Sequence, residues 1–130
     1  MKKQKPKLKI SKKPFHYSLG KRGEQLAREF LSGKGYRVLE NNYRCKLGEI
    51  DIIAEKGGRI YFAEVKTRRS ERYGQPIEAV TTWKQKKLSQ LAAWYCKVRQ
   101  IQDAKIAFLI ISILFKNNHF EIQLTEDVFY

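Results

Sequence analysis

A length of 130 residues fits one domain with a single hydrophobic core. Its 42% hydrophobic and 31% charged residues exclude wholesale disorder, because that composition is typical of globular proteins. The 27 Lys and Arg residues against 13 Asp and Glu residues give a net charge of +14, which favours a polyanionic partner.

The N-terminal segment, residues 1–14, differs in composition from the rest, which we interpret as one domain over residues 15–130. The first 13 residues contain seven lysines and no acidic residue, so they cannot form an amphipathic core element. We expect a disordered basic arm. Two interpretations stay open, a salt-sensitive extension that follows nucleic-acid phosphates and a solvated tail that aids solubility. Subtracting these seven charges from +14 leaves +7, so the folded part is basic as well.

The apolar runs and the cysteines bear on the compartment of the protein. No apolar run follows the N-terminal lysines as a signal peptide requires, and the longest run, Ile106–Phe115, is too short to span a bilayer. Cys45 and Cys96 have neither the CxxC spacing of zinc sites nor the density of a secreted disulfide framework. We therefore expect a cytoplasmic protein that contacts no membrane and keeps both thiols reduced.

Residues 18–33 have the periodicity of an amphipathic helix at the start of the domain. Ser18 is a candidate N-cap, and Gly33 and Gly35 mark the end of the helix. The positions that share its apolar face are Leu19, Gly23, Leu26, Ala27 and Phe30. Glu24 lies at the border of this face, where its carboxylate either reaches the sheet or only complements the helix dipole. A first strand is predicted to follow over Tyr36–Tyr43.

The segment Gly48–Lys66 predicts an antiparallel hairpin, because two β-rich runs flank a Gly-Gly step that accepts the positive φ angles of a tight turn. Alternation along the strands puts Asp51 on the side of Ile53, and it puts Glu64 on the side of Lys66. If those faces coincide, two carboxylates and an ammonium group converge. A divalent ion would offset the cost of burying these charges, and carboxylate oxygens from Asp51 and Glu64 suit Mg²⁺ or Mn²⁺. Lys66 would then face a bound water or phosphate.

An Asp on one strand and a Glu-x-Lys triplet on the next resemble the pattern of the PD-(D/E)XK nucleases, and further motifs narrow the resemblance. The set comprises Gly20-x-x-Gly23-Glu24, Gly35-Tyr36, Asn42-Tyr43-Arg44, Gly48-Glu49-Ile50-Asp51, Glu64-Val65-Lys66-Thr67-Arg68 and Gly74 before a Lys-rich helix. Over residues 18–98 the chain resembles the YraN family, whose members are regarded as nuclease-like and related to the archaeal Holliday junction resolvases.

This resemblance implies a fold, a site and an assembly. The fold is a restriction-endonuclease-like α/β architecture, αβββαββ, with a mixed β-sheet flanked by helices. The implied catalytic residues are Glu24, Asp51, Glu64 and Lys66, of which the three acids would bind the metal. Cleavage of two strands would call for a homodimer. In the strand where many relatives carry an aromatic-Asp pair, this chain has Phe108-Leu109, so an acidic role is absent there.

Four arginines near the hairpin are candidate phosphate ligands: Arg44, Arg68, Arg69 and Arg72. The last three leave the Glu-x-Lys strand in one loop, where their guanidinium forks suit the phosphates beside a scissile bond. Arg44 precedes the hairpin and either binds phosphate or only decorates a loop. Glu49 is a further candidate ligand, a supporting group or a partner that neutralises Arg44, and we rank it behind Asp51.

A second helix is predicted over Ile77–Val98. Its buried stripe is predicted to contain Val80, Leu88, Leu91 and Tyr95. Lys84 and Lys87 lie along the same side and either approach a nucleic-acid backbone or cover apolar surface with their stems. Trp83 and Trp94 are expected in the core. A last hairpin is predicted from the strands Asp103–Phe115 and Phe120–Leu124, joined at an Asn-Asn turn.

These features together predict a metal-dependent endonuclease that hydrolyses phosphodiester bonds in DNA, including branched DNA. A second hypothesis is a nucleic-acid-binding module that has the nuclease fold but little or no cleavage. A third is a structural or interaction role in which the basic surface binds RNA, and a salt titration that compares RNA with DNA would separate it from the others.

Overall fold

The computed structural model describes residues 19–69 and 81–126. Its elements in chain order are α1 (Leu19–Gly33), β1 (Arg37–Cys45), β2 (Gly48–Lys56), β3 (Arg59–Arg68), α2 (Thr82–Val98), β4 (Lys105–Lys116) and β5 (His119–Glu126). The predicted αβββαββ order is therefore confirmed. Ser18, Arg72, Val80 and the basic arm of residues 1–14 lie outside the described residues.

The strands form one five-stranded sheet in the order β1-β2-β3-β4-β5. The sheet is mixed, because β3 and β4 pair in parallel and the other neighbours pair antiparallel. The β2–β3 and β4–β5 hairpin turns have positive φ angles at their two central residues, Gly57-Gly58 and Asn117-Asn118. That conformation matches the right-handed twist of the flanking strands, which explains why glycines and asparagines were reliable signals for both turns.

The two helices cover opposite faces of the sheet. Tyr61 and Ala63 of β3 belong to the core cluster that contains the buried apolar side chains of α1, whereas Phe62 between them belongs to the cluster that contains those of α2. The alternation of side chains along a strand explains this division. The buried α1 residues are Gly23, Leu26, Ala27 and Leu31, and those of α2 are Leu88, Leu91, Ala92 and Tyr95.

The N-terminus of α2 and the exposure of one tryptophan differ from the predictions. Thr81 has an extended backbone, and its hydroxyl oxygen accepts a hydrogen bond from the backbone N–H of Lys84 at 3.1 Å. This N-cap sets the described start of α2 at Thr82 instead of Ile77. Trp83 is 69% exposed, so its predicted place in the core is wrong. Trp83 is exposed because it lies on the flank of α2, at a different angle around the helix axis from the buried stripe that contains Leu88.

The close approach of α1 to β3 depends on one glycine. A Cβ atom added to Gly23 would lie 2.0 Å from Oγ1 of Thr67, which is far inside van der Waals contact. We expect Gly23→Ala to lower the free energy of unfolding by about 1–3 kcal/mol, because a methyl group at this contact has to displace the helix from the sheet. Denaturant unfolding of the purified variant measures this loss.

Gly20→Ala is the matched control for that prediction, since a Cβ at Gly20 meets no atom within 4 Å. In the same helix an alanine without steric conflict should raise the free energy of unfolding by up to about 1 kcal/mol. Equal effects of the two substitutions would show that helix propensity, and not the contact with Thr67, governs Gly23.

Candidate active site

A cleft opens where β2 and β3 separate. The pairing of β2 with β3 runs from Lys56↔Arg59 to Ile52↔Ala63 and stops there. Beyond that point β2 pairs with β1, while β3 continues against β4, beginning with Glu64 opposite Ile110. Asp51 and Glu64 are the first residues past the last pair, one on each strand. The end of the ladder therefore creates a gap whose two sides each carry a carboxylate.

The backbone around Asp51 departs from regular alternation. Ile50 and Ile53 both belong to the α2-side core cluster, although residues three apart on a regular strand face opposite sides. On β1, Asn42 lies between Asn41, which pairs with Ile52, and Tyr43, which pairs with Ile50, so it stands opposite Asp51. Asn42 has a φ angle of 53°. Asp51 nevertheless lines a cavity together with Leu88 of α2, on the side of the sheet where Ile53 packs, which agrees with the predicted shared face of Asp51 and Ile53.

The carboxylate of Asp51 is held by the neighbouring strand. Its Oδ2 atom accepts a hydrogen bond from the backbone N–H of Val65 at 2.8 Å, where a ladder bond between β2 and β3 would otherwise continue. Burial raises the pKa of Asp51 above its usual value, and the negative charges of Glu24, Glu64 and Glu49 raise it further, while the Val65 hydrogen bond opposes the shift. The ionised carboxylate is thus fixed in place and poorly stabilised.

Glu64 carries the least satisfied polar atom of the cleft. Its side chain is only 13% exposed, and Oε1 lies 2.8 Å from Nζ of Lys84 and 3.4 Å from Nζ of Lys66. Its Oε2 atom is buried and has no hydrogen-bond partner among the described residues. Leaving a charged, buried oxygen without a partner costs more than a lost neutral hydrogen bond, so this atom calls for an explanation.

A cavity of about 70 Å³ connects these groups. It is lined by Glu49, Ile50, Asp51, Ala63, Glu64, Lys84 and Leu88. Both carboxylates border it, one wall comes from α2, and the volume suffices for an ion with a small number of waters. The sequence alone did not connect Lys84 with Glu64. The spacing of Lys84 and Leu88, one helical turn apart, was the signal that could have placed this ammonium beside the sheet.

Glu24 reaches this region from the other helix. It directly follows Gly23, whose contact with Thr67 holds α1 against β3, and its side chain is half-buried. Its charge lies close enough to Asp51 to raise the pKa of that carboxyl. Glu24 therefore belongs to the electrostatic surroundings of Asp51, and its role as a metal ligand stays a prediction.

The oxygen atoms of the cleft are of the type that a hard divalent cation prefers, but they are not arranged as a complete metal site. Within residues 19–69 and 81–126, no three His, Cys, Asp or Glu side chains lie together closely enough to form a ready-made metal site. Two carboxylates with several waters nevertheless suffice for Mg²⁺, and the unpartnered Oε2 of Glu64 is an oxygen that a cation would satisfy. Residues Asp51 and Glu64 are the ones that could hold such an ion.

The other candidate phosphate ligands surround the cleft at different distances. Arg44 pairs with Glu49 at 2.9 Å between its Nε and the carboxylate Oε2, and both side chains are largely exposed, so Glu49 does neutralise Arg44. The Arg69 guanidinium lies 5.5 Å from the ring centroid of Phe115. Arg68 ends β3, and Lys87 lies beside Gly48 at the start of β2. Their phosphate contacts, like those of Lys84, stay predictions.

Comparison with known proteins places the chain among bacterial relatives. A profile described as "Uncharacterised protein family UPF0102" matches residues 23–113. A UPF0102 protein of Alkaliphilus metalliredigens is 58% identical over 97 residues, which cover 75% of this chain and 85% of the relative. Another, of Syntrophus aciditrophicus, is 43% identical over 110 residues, covering 85% of this chain and 87% of the relative. Across the described helices, none has the length and apolarity needed to cross a membrane.

Proposed function

The chain belongs to the UPF0102 family, which is of the nuclease-like PD-(D/E)XK type, and on this premise we propose that it is a metal-dependent nuclease that hydrolyses phosphodiester bonds in DNA. One observation supports the proposal most strongly. Glu64, whose Oε2 is buried without a partner among the described residues, lines the same cavity as Asp51, whose ionised carboxylate is disfavoured by burial, and a cation between them would stabilise both.

The side chains of the cleft have distinct roles in this proposal. Asp51 and Glu64, assisted by Glu24, would hold Mg²⁺ or Mn²⁺. Such an ion supplies the positive charge that makes a water more acidic and offsets the negative charge that develops on the phosphate. Lys66, already 3.4 Å from Oε1 of Glu64, can donate a hydrogen bond to the attacking water or to a phosphate oxygen. The Val65 N–H keeps Asp51 oriented throughout.

The positive charge around the cleft supports a polyanionic substrate. Lys66 and Lys84 are each about one-third exposed, so both ammonium groups can meet a phosphate at the mouth of the cavity. A net charge of +14 favours association with nucleic acid, and binding should weaken at higher salt, where the release of counterions from the nucleic acid gains less entropy. A homodimer would supply the two sites that cleavage of both strands needs, and sedimentation velocity tests for it.

A binding module that retains the fold without cleavage is the second candidate, and one contact favours it. The Lys84 ammonium lies 2.8 Å from Oε1 of Glu64, where it supplies part of the charge that an ion would bring. If this pair persists in the presence of metal, the protein would bind DNA and leave it intact.

Labelled DNA separates the two functions. Linear duplex, flapped duplex and a four-way junction are incubated with the protein in Mg²⁺, in Mn²⁺ and in EDTA, and products are resolved on denaturing gels. Cleavage that requires the metal and is lost in Asp51→Ala supports the nuclease. Cleavage that survives this substitution would point to a contaminant or a misplaced site, and retarded but uncut DNA in every condition would favour the binding module.

A further inference from the structure

One flank of α2 carries aromatic and basic side chains that the cleft does not use, of which Trp83 and Lys46 are exposed and Lys87 and Trp94 are half-buried. We call it the tryptophan–lysine stripe, and it consists of Trp83, Lys87 and Trp94 of α2 together with Lys46 of the β1–β2 turn. The three helical positions are four and seven residues apart, so they lie on one face. Trp83 and Val98 are the large hydrophobic side chains that stand exposed in the described part of the chain, at 69% and 51%.

Cations alternate with rings along this stripe. Nζ of Lys87 lies 6.0 Å from the ring centroid of Trp83, and Nζ of Lys46 lies 4.9 Å from that of Trp94. With a rise of about 1.5 Å per residue, the two indoles are about 16 Å apart along the helix axis. That distance corresponds to about five nucleotides at the spacing of stacked bases. The stripe thus has the length of a short nucleotide segment.

The stripe begins at the candidate active site. Lys84, the residue after Trp83, extends to Oε1 of Glu64 at 2.8 Å, and Lys87 approaches the backbone of Gly48 at the start of β2. A strand whose phosphate entered the cleft would therefore continue past Trp83.

On this basis, and resting on the proposed nuclease function, we propose that the tryptophan–lysine stripe binds unpaired nucleotides next to the scissile phosphate. An exposed indole offers a flat π surface on which a base of any sequence stacks, and the neighbouring ammonium groups meet the phosphates. Bases inside a duplex are already stacked on one another, so they cannot use this surface. Lysines are depleted from the cores of protein–protein interfaces, which makes their interleaving with tryptophans typical of a nucleic-acid surface. The substrate class is therefore DNA with a single-stranded segment.

Binding without cleavage tests this inference. The protein is mixed in EDTA with a fluorescent 15-nucleotide poly-dT strand or with a blunt hairpin duplex, and affinity is measured by anisotropy at fixed salt. We expect Trp83→Ala to weaken poly-dT binding about tenfold, because stacking contributes roughly 1–3 kcal/mol per base, and to leave duplex binding within about twofold. Val98→Ala is the control, since it removes the other exposed apolar side chain at the opposite end of α2.

A second measurement does not depend on the loss of a side chain. In Trp94→Phe the remaining indole is Trp83, whose fluorescence should be quenched by poly-dT and not by the duplex. Equal affinity of Trp83→Ala and the unmodified protein for poly-dT, or quenching that fails to distinguish the two ligands, would overturn the inference. Selective quenching without any metal-dependent cleavage would retain the stripe as a single-strand site and reject the nuclease function.

Discussion

Glu64→Gln is expected to lower metal-dependent DNA cleavage by about a hundredfold to a thousandfold, the range observed when one preorganised electrostatic group is removed from an active site. Gln keeps the size of the side chain and loses its negative charge, so Oε2 no longer attracts a cation. Because the side chain is 13% exposed and contacts two ammonium groups, the loss of charge is poorly compensated by water. Initial rates on the best cleaved substrate, at saturating Mn²⁺, measure the change.

Glu49→Gln is the matched control for that result. Glu49 also borders the cavity, yet its side chain is 59% exposed and its carboxylate already pairs with Arg44. An exposed ion pair contributes at most about 1 kcal/mol, so activity should stay within about fivefold of the unmodified protein. Equal losses of cleavage rate in Glu64→Gln and Glu49→Gln would mean that the net charge near the cleft determines activity and that Glu64 has no specific role.

Asp51→Asn is expected to stabilise the metal-free protein at neutral pH while it removes cleavage. The carboxylate of Asp51 is half-buried and lies among three other acidic residues, so the ionised form is unfavourable in the folded state. Asn keeps an oxygen that can accept the Val65 N–H bond and removes the charge. The melting temperature in EDTA should rise by several degrees, since in a small domain modest changes in stability shift it visibly.

The sign of the pH dependence follows from the raised pKa of Asp51. The folded protein binds this proton more tightly than the unfolded chain, so its stability falls as the pH rises from the unfolded pKa through the folded pKa. The advantage of Asp51→Asn should therefore be full above the raised pKa and should vanish in acid, where Asp51 is neutral as well. Urea unfolding of both proteins across this pH range measures the difference.

The effect of Mn²⁺ on the melting temperature is expected to differ between the unmodified protein and Asp51→Asn. Mn²⁺ should raise the melting temperature of the unmodified protein, because an ion that binds only the folded state stabilises it by mass action, and it should have little effect on Asp51→Asn. If Asp51→Asn is less stable than the unmodified protein in EDTA at neutral pH, then the hydrogen bond from the Val65 N–H to the charged carboxylate stabilises the fold by more than burial and charge repulsion destabilise it.

Local chemistry explains why much of the fold could be predicted. The Gly57-Gly58 and Asn117-Asn118 turns have the φ angles that their residue types favour, and a tight turn fixes the register of both flanking strands. Continuing that register from Lys56↔Arg59 puts Asp51 opposite Glu64, although the turn does not determine where the pairing ends. The buried stripe of α2 was predictable at Leu88, Leu91 and Tyr95 because the helical period repeats.

Four features of the structure were not predictable by such counting. Where β2 separates from β3, β2 stays paired with β1 and β3 with β4, and the irregularity around Asp51 lies opposite Asn42 of β1, so both features involve strands outside the hairpin. Lys84 was predicted either to approach a nucleic-acid backbone or to cover apolar surface, and its ion pair with Glu64 was not foreseen. Trp83 was expected in the core and is exposed, because apolar composition does not tell which flank of a helix meets the sheet.

The strands, the helices, the turns and the acidic side chains of the β2–β3 hairpin were predictable from the amino-acid sequence, because each of these depends on conformational preferences within a few residues. The three-dimensional packing was needed to show that Asp51 accepts a hydrogen bond from Val65, that one oxygen of Glu64 is buried without a hydrogen-bond partner among the described residues, and that Trp83 faces solvent. These facts depend on the packing of segments that are distant along the chain, and packing assigns neighbours that no local pattern of side chains specifies.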